Sequence, residues 1–315
     1  MPFANLTTIF FVLVIVVLWA ARGPRERIIR FLTQKRWRIW MVPGLLWLAF
    51  AVCGLFSGEF VVNEFLRLIP YLALPTLCII LARRNPKHSF AYIIAGIALL
   101  RLPLDFHLIG IPAFDSHVQF RLVPYAMYLI FGLLAFQTER KIGTHIGWKL
   151  TGRDLAYAFG VFAVMFFPLL GLGLHIGFLT WQPSPYLYDQ QYMILFFIPR
   201  VLFPTALPEE LLFRGLLQNT FAERFSKTFR SERLRFWAPI VLASLFFGLS
   251  HFEDGQEFVS LTNSIMHPNY GFMLLSFLAG GAFGYVYKKT GSLLAATFLH
   301  TLVDMVFWLC FLKGA

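Results

Sequence analysis

Long apolar blocks alternate with short polar stretches along the whole chain. The apolar segments run near 5–21, 39–57, 61–82, 90–112, 119–137, 154–178, 190–218, 236–251, 270–287 and 291–312. Most reach the roughly 20 residues that a helix needs to cross a hydrocarbon core about 30 Å thick. Prolines and glycines inside several of them are compatible with membrane helices. The pattern predicts an all-α fold, a polytopic transmembrane helical bundle of about 8–10 membrane helices. The block 236–251 is short and is open to an earlier start. The block 190–218 carries Pro199, Pro204 and Pro208, so it is expected to be a broken span or two elements, with the break at mid-depth. The polar stretches near 180–190, 219–235 and 252–269 read as loops.

Composition points the same way. Of 315 residues, 58% are hydrophobic and 14% charged, with 37 phenylalanines; a soluble domain averages roughly 45–50% apolar and about 25% charged. The formal charge of +11 raises the question of nucleic acid, and its distribution answers it. Arg22 through Arg38, Arg83, Arg84 and Lys87, Arg140, Lys141, Lys149 and Arg153, Arg224 through Arg235, and Lys288 and Lys289 fall in alternate connections. Acidic residues (Glu59, Asp115, Asp189, Glu253, Asp254, Glu257) occupy the others, with Arg67 and Arg121 as mild exceptions. That alternation is the positive-inside pattern of a membrane protein. It predicts both termini outside and no nucleic-acid partner. The first segment lacks basic residues ahead of its apolar run, so it is expected to be a retained helix rather than a cleaved signal. Cys53, Cys78 and Cys310 are scattered singly through apolar blocks. They form no disulfide or metal pattern.

Ionisable side chains inside membrane spans are costly, and each one is a functional candidate until it finds a structural partner. Arg101 and Asp105 are spaced i,i+4 and are expected to form a structural pair. His175 falls near a span end, Arg200 follows a proline, and Gly280 and Gly284 form a GxxxG expected to serve helix packing. Three stretches remain. In "PEELLFRG", Glu210 and Arg214 share one helical face at i,i+4, whereas Glu209 points about 100° away. The arginine neutralises one carboxylate and leaves the other directed elsewhere. In "FGLSH", His251 follows Phe247 by one turn, with Ser244 and Gly248 as small neighbours. In "HTLVD", His300 and Asp304 are again i,i+4. A carboxylate, two imidazoles and one further polar group on consecutive apolar helices are the inventory for attack of an activated water on an amide. No Ser or Cys nucleophile beside a base and no HExxH pair occurs in this region.

These three motifs, in this order, resemble the CPBP intramembrane protease family, which includes the CAAX prenyl proteases and the bacteriocin-processing or Abi proteins. The resemblance covers roughly residues 195–308 and divides the chain into N-terminal membrane helices of unassigned role (1–180) and a catalytic helical domain (190–312). It implies Glu209 as general base on water, assisted by His251, with His300 and its neighbour Asp304 on the oxyanion side. Glu210, Arg214 and Phe247 take supporting roles. The family pattern commonly ends in Asn where this chain has Asp304, so that residue is expected to be protonated, to hold His300 in place, or to be only loosely involved. The family has been described both as metal-free glutamate proteases and as metalloproteases. On the second description Glu209, His251 and His300 would ligate a divalent metal such as zinc.

The function expected on these grounds is an intramembrane endopeptidase. It would sit in the cell membrane with its N-terminus outside and act on a membrane-associated protein or peptide. Two alternatives are a non-catalytic immunity or binding protein on the same scaffold and a proton-coupled transporter. The intact polar groups weigh against the first. Their confinement to the last third of the chain weighs against an inverted-repeat carrier.

Overall fold

The computed structural model describes residues 22–57, 62–105, 108, 146–184, 187, 194, 198–199, 201–252 and 267–311. The predicted spans 5–21 and 119–137 and most of 190–200 lie outside the described residues. Every element among the described residues is helical apart from one isolated bridge between Gly147 and Ser292. The all-α membrane bundle is therefore the observed fold. Four of the described helices are long and apolar enough to cross a membrane: Phe65–Arg84, Gly152–His175, Asn269–Thr290 and Leu293–Cys310.

The chain divides into two compact units, Met1–His145 and Ile146–Ala315. In the first, α1 (Arg22–Gln34) leads through a 3-10 turn (Arg36–Trp40) into α2 (Met41–Ser57), α3 (Val62–Arg84) and α4 (Ser89–Asp105). Helices α3 and α4 form an antiparallel hairpin across Asn85 and a short 3-10 turn, Pro86–His88. Its seam is filled by Leu68, Tyr71, Leu72, Ile79, Ile93, Ile97 and Leu100, all buried. Two hydroxyls there are satisfied within the hairpin. Tyr71 Oη donates to Leu100 O at 2.9 Å and Thr76 Oγ1 to Leu72 O at 2.7 Å.

The second unit contains α5 (Gly152–His175), α6, α7 (Glu232–Leu249), α8 (Pro268–Thr290) and α9 (Leu293–Cys310). Thr151 and Asp154 start α5 with a reciprocal capping box. Helix α5 packs on α8 and α9, so it folds with the C-terminal helices although it precedes the motif region. Gly291 ends α8 with φ 66°, the left-handed conformation that closes a helix and that glycine adopts without strain. Ser292 then caps α9 through Ala295 N. After α5, Gly177 (φ 70°) turns the chain into a strap. Its Gln182 and Ser184 amides donate to Cys310 O and Leu309 O, carbonyls that the end of α9 leaves without helical partners.

Helix α6 departs from expectation. It runs through Leu202–Ala206, Leu207–Glu210, Leu211–Gln218 and Asn219–Thr228 with right-handed helical backbone at every junction. Pro204 and Pro208 do not break it, while the chain joining Pro199 to it lies outside the described residues. The pieces Leu202–Ala206 and Leu211–Gln218 are π-helical, and Leu207 N donates five residues back to Leu202 O. Prolines supply no N–H to an i→i−4 ladder; the wider i→i+5 closure lets the chain pass them without unwinding. The predicted loop at 219–235 is likewise helical to Thr228 and reduces to the turn at 229–231. Both revisions place Glu209 at a new depth. It lies 21 residues before Arg230, and His251 lies 21 residues after it, so the two face each other at the same level of an antiparallel hairpin.

The burial pattern is that of a protein whose solvent is lipid. Val164 and Phe167 on α5 are 77% and 70% exposed, while Glu210 and Arg214 are both 0% exposed. Apolar side chains coat the outside and the ionised groups lie within.

Candidate functional site

The site begins with the π-helical turn. All eight residues of Leu211–Gln218 are buried. A π-helix winds more slowly than an α-helix, which keeps residues four apart nearly in line. Glu210, Arg214 and Gln218 thus form a buried column along α6. Arg214 Nε donates to Glu210 Oε2 at 3.0 Å. Its guanidinium lies over the rings of Phe247 (5.2 Å) and Phe283 (5.9 Å), aromatic faces that attract a cation. Gln218 Nε2 donates to Gly284 O on α8 at 3.1 Å.

Helix α8 makes room for this column. A Cβ on Gly280 would stand 2.9 Å from Phe247 Cδ1 and 3.2 Å from Arg214 Nη2. One on Gly284 would stand 2.7 Å from Gln218 Oε1. The GxxxG spacing therefore accommodates polar side chains of α6, and close backbone approach is found at Gly248 instead. A Cβ there would meet Met273 O at 2.7 Å.

His251 lies in the turn just past the end of α7. Its Nδ1 is 2.7 Å from Phe247 O, one of the carbonyls left open at a helix C-terminus. A carbonyl only accepts, so Nδ1 carries the proton and the neutral ring presents a lone pair at Nε2. That Nε2 is 3.8 Å from Glu209 Oε2.

His300, on α9, is fixed on the opposite side. Its Nδ1 is 3.0 Å from Glu210 Oε1. Glu210 thus has one oxygen on Arg214 and the other on His300, which occupies both of its oxygens. His300 Nε2 faces Glu209 Oε2 at 3.8 Å and Asp304 Oδ2 at 3.4 Å. Phe283 stacks on the imidazole at 4.6 Å and 18°, and Phe247 meets it edge-on at 5.5 Å and 89°.

All seven residues singled out from sequence (Glu209, Glu210, Arg214, Phe247, His251, His300 and Asp304) come together, drawn from α6, α7 and α9. Glu209 Oε2 is the atom on which both Nε2 atoms converge. Each 3.8 Å spacing exceeds a direct hydrogen bond, so neither imidazole is locked to that carboxylate. The side chains of Asp304 and His251 are 23% and 12% exposed, against 6% for Glu209 and 4% for His300. The site therefore opens on the side of Asp304 and His251. Two imidazoles with Nδ1 held by second partners and one carboxylate are donors of the kind zinc takes. Among the described residues, however, no three His, Cys, Asp or Glu side chains close into a metal-binding group.

Other candidates separate from this cluster. Arg101 is buried in the first unit, and the Asp105 side chain expected to pair with it lies outside the described residues. His175 is exposed in the last turn of α5. Arg200 lies outside the described residues. Sequence reasoning missed Phe283 and the second tie on Glu210. A phenylalanine in a span carries no sequence signal of a site, and the Glu210–His300 link joins positions 90 residues apart.

Comparison with known families adds one finding. Residues 191–306 match the model of the type II CAAX prenyl endopeptidases, Rce1-like, a stretch that takes in all three motifs. The chain matches no curated protein and no solved structure.

Proposed function

We propose, from a chain whose residues 191–306 match the Rce1-like type II CAAX prenyl endopeptidase model, that the protein is an intramembrane endopeptidase acting through Glu209. The observation that carries this reading is the division of labour between adjacent carboxylates. Glu210 is held by Arg214 and His300, whereas Glu209 Oε2 faces Nε2 of both histidines at 3.8 Å. A water between Glu209 and His251 gives one proton to the carboxylate while the His251 Nε2 lone pair accepts its other hydrogen. Its oxygen adds to the scissile carbonyl carbon, and the carbonyl π electrons move to oxygen. His300, with Nδ1–H on Glu210, donates from Nε2 to that oxyanion when it is protonated. On collapse the C–N bond breaks, the amine takes the proton held by Glu209, and a carboxylic acid and an amine leave, the acid then giving up its proton to solvent.

Asp304 steadies the His300 ring from the exposed side. In a metal-dependent version, Glu209, His251 and His300 would hold a divalent ion that makes its bound water more acidic. The donor spacing favours Glu209 acting directly. The substrate is a membrane-associated protein or peptide, and the first probe to try is a fluorogenic farnesylated peptide ending in a CAAX sequence.

Glu209→Gln keeps size and shape but cannot take a proton. Hydrolysis should fall by about 10³-fold, within the range of general-base catalysis, while folding and substrate capture persist. A Glu209→Gln protein cleaving at near wild-type rate would end this mechanism and leave binding or transport. A chelator that abolishes activity, with zinc restoring it, would select the metal version. The basic connections place the cell interior on the side of the 229–231 turn. Cysteines introduced at 25–36 should resist an impermeant thiol reagent added outside cells, and one at 253–262 should react; the opposite pattern would invert the orientation.

A further inference from the structure

We infer that Phe283, outside the three motifs, is a positioning residue that holds the His300 imidazole in its working plane. This rests on the proposed role of His300. The bond from Nδ1 to Glu210 Oε1 at 3.0 Å holds one nitrogen, and the 3.4 Å approach of Asp304 Oδ2 to Nε2 is the looser hold on the other. Aiming Nε2 at Glu209 and Asp304 requires the plane to be set as well. Two contacts do that: the flat face of Phe283 at 4.6 Å and 18°, and the edge of Phe247 at 5.5 Å and 89°. Phe283 is itself held. It is 1% exposed, meets Phe247 at 6.0 Å and 72°, and carries the Arg214 guanidinium 5.9 Å from its centroid.

One ring thus touches both partners of Glu210, the arginine and the histidine. Gly280 and Gly284 flank it on α8 and make room for Arg214 and Gln218, so the helix can bring Phe283 fully into the cluster. The negative face of an aromatic ring also favours a cationic partner, so the stack suits His300 in the protonated form that donates to an oxyanion.

The test compares Phe283→Leu, which keeps apolar bulk without a flat face, with Phe283→Tyr, which keeps the ring. In protein labelled with ¹³C-histidine, the His300 ring signal is assigned by its loss in His300→Gln. It should move downfield in Phe283→Leu as the ring current is lost and stay near its wild-type position in Phe283→Tyr. This readout needs no turnover. With the farnesylated peptide, kcat of Phe283→Leu should fall about tenfold with KM within about twofold, and Phe283→Tyr should recover most of it. An unmoved His300 signal in Phe283→Leu would overturn the stack. A moved signal with unchanged kcat would overturn the positioning role. Failure of the wild type to cleave any peptide would overturn the proposed function while the ring-current shift still decided the stack.

Discussion

Two helical hairpins of this protein share a plan and differ in what lies at their seam. The pair α3–α4 and the pair α6–α7 are both antiparallel, both carry prolines within a helix (Pro70 and Pro75; Pro204, Pro208 and Pro239) and both turn beside basic residues. In α3–α4 the seam is mostly apolar, and its Tyr71 and Thr76 hydroxyls donate to backbone of the same hairpin. In α6–α7 the seam holds two glutamates, an arginine and a glutamine; Arg214 pairs with Glu210 inside α6, and further partners come from α8 and α9. The Tyr71 and Thr76 hydroxyls need no other helix. The second hairpin does, because a buried charge needs a counter-charge and hydrogen bonds: Arg214 finds Glu210 one turn away, but Gln218 and the other oxygen of Glu210 reach α8 and α9, the latter across 90 residues. A hairpin that depends on distant helices for its polar satisfaction is the one that gathers a site.

The largest separation between the hairpins is expected from the ion pair. Arg214→Ala or Glu210→Ala leaves a fully buried charge without its partner, at a cost of about 3–5 kcal/mol. Folded protein in detergent should drop sharply for either change, and the double substitution should cost less than the sum. Normal folded levels for Arg214→Ala with lost turnover alone would move the arginine into the chemistry.

Next comes the wall that the column leans on. Gly280→Ala puts a methyl 2.9 Å from Phe247 and 3.2 Å from Arg214, and should cost about 1–3 kcal/mol by overpacking. Gly281→Ala, with nothing within 4 Å of its new Cβ, should leave the melting temperature unchanged. Equal losses at the two positions would show that contact with Phe247 and Arg214 does not set the need for glycine at 280, since alanine is the better helix former at either position.

Asp304→Asn keeps the shape beside His300 and removes the charge. If Asp304 steadies the imidazole, kcat/KM should stay within about tenfold, or 1.4 kcal/mol of barrier; near-complete loss would make its charge essential. The smallest effect is expected in the first hairpin. Tyr71→Phe removes the donor to Leu100 O and should cost about 1 kcal/mol, seen as a modest fall in melting temperature with unchanged cleavage. A loss of activity there would mean that the stability of the first hairpin and turnover are coupled.

Much is legible in the amino-acid sequence alone. The lengths of the apolar blocks imply helices in lipid, because a backbone surrounded by hydrocarbon must satisfy its own hydrogen bonds. The i,i+4 spacing of Glu210 and Arg214 predicts their pair, since four residues return nearly to the same face of a helix. The six ionisable candidates are identifiable because charge is rare and costly in a span, and Phe247 enters through the motif it shares with His251. What the sequence does not determine is anything that depends on contact between helices. The prolines argue for a break, yet α6 continues because a wider helical closure absorbs Pro204 and Pro208. The polar run at 219–235 argues for a loop, yet 219–228 is helical, with side chains that α7 covers in part. Gly280 and Gly284 argue for close helix packing, and they do lie against Phe247, Ser244 and Ile240 of α7, but only the fold shows that they also make room for Arg214 and Gln218. Only the packed helices decide that Glu210 is shared between Arg214 and His300, and that Phe283 lies against the imidazole. Local periodicity fixes which face a side chain occupies; what stands opposite that face is set by chain segments that meet only on folding.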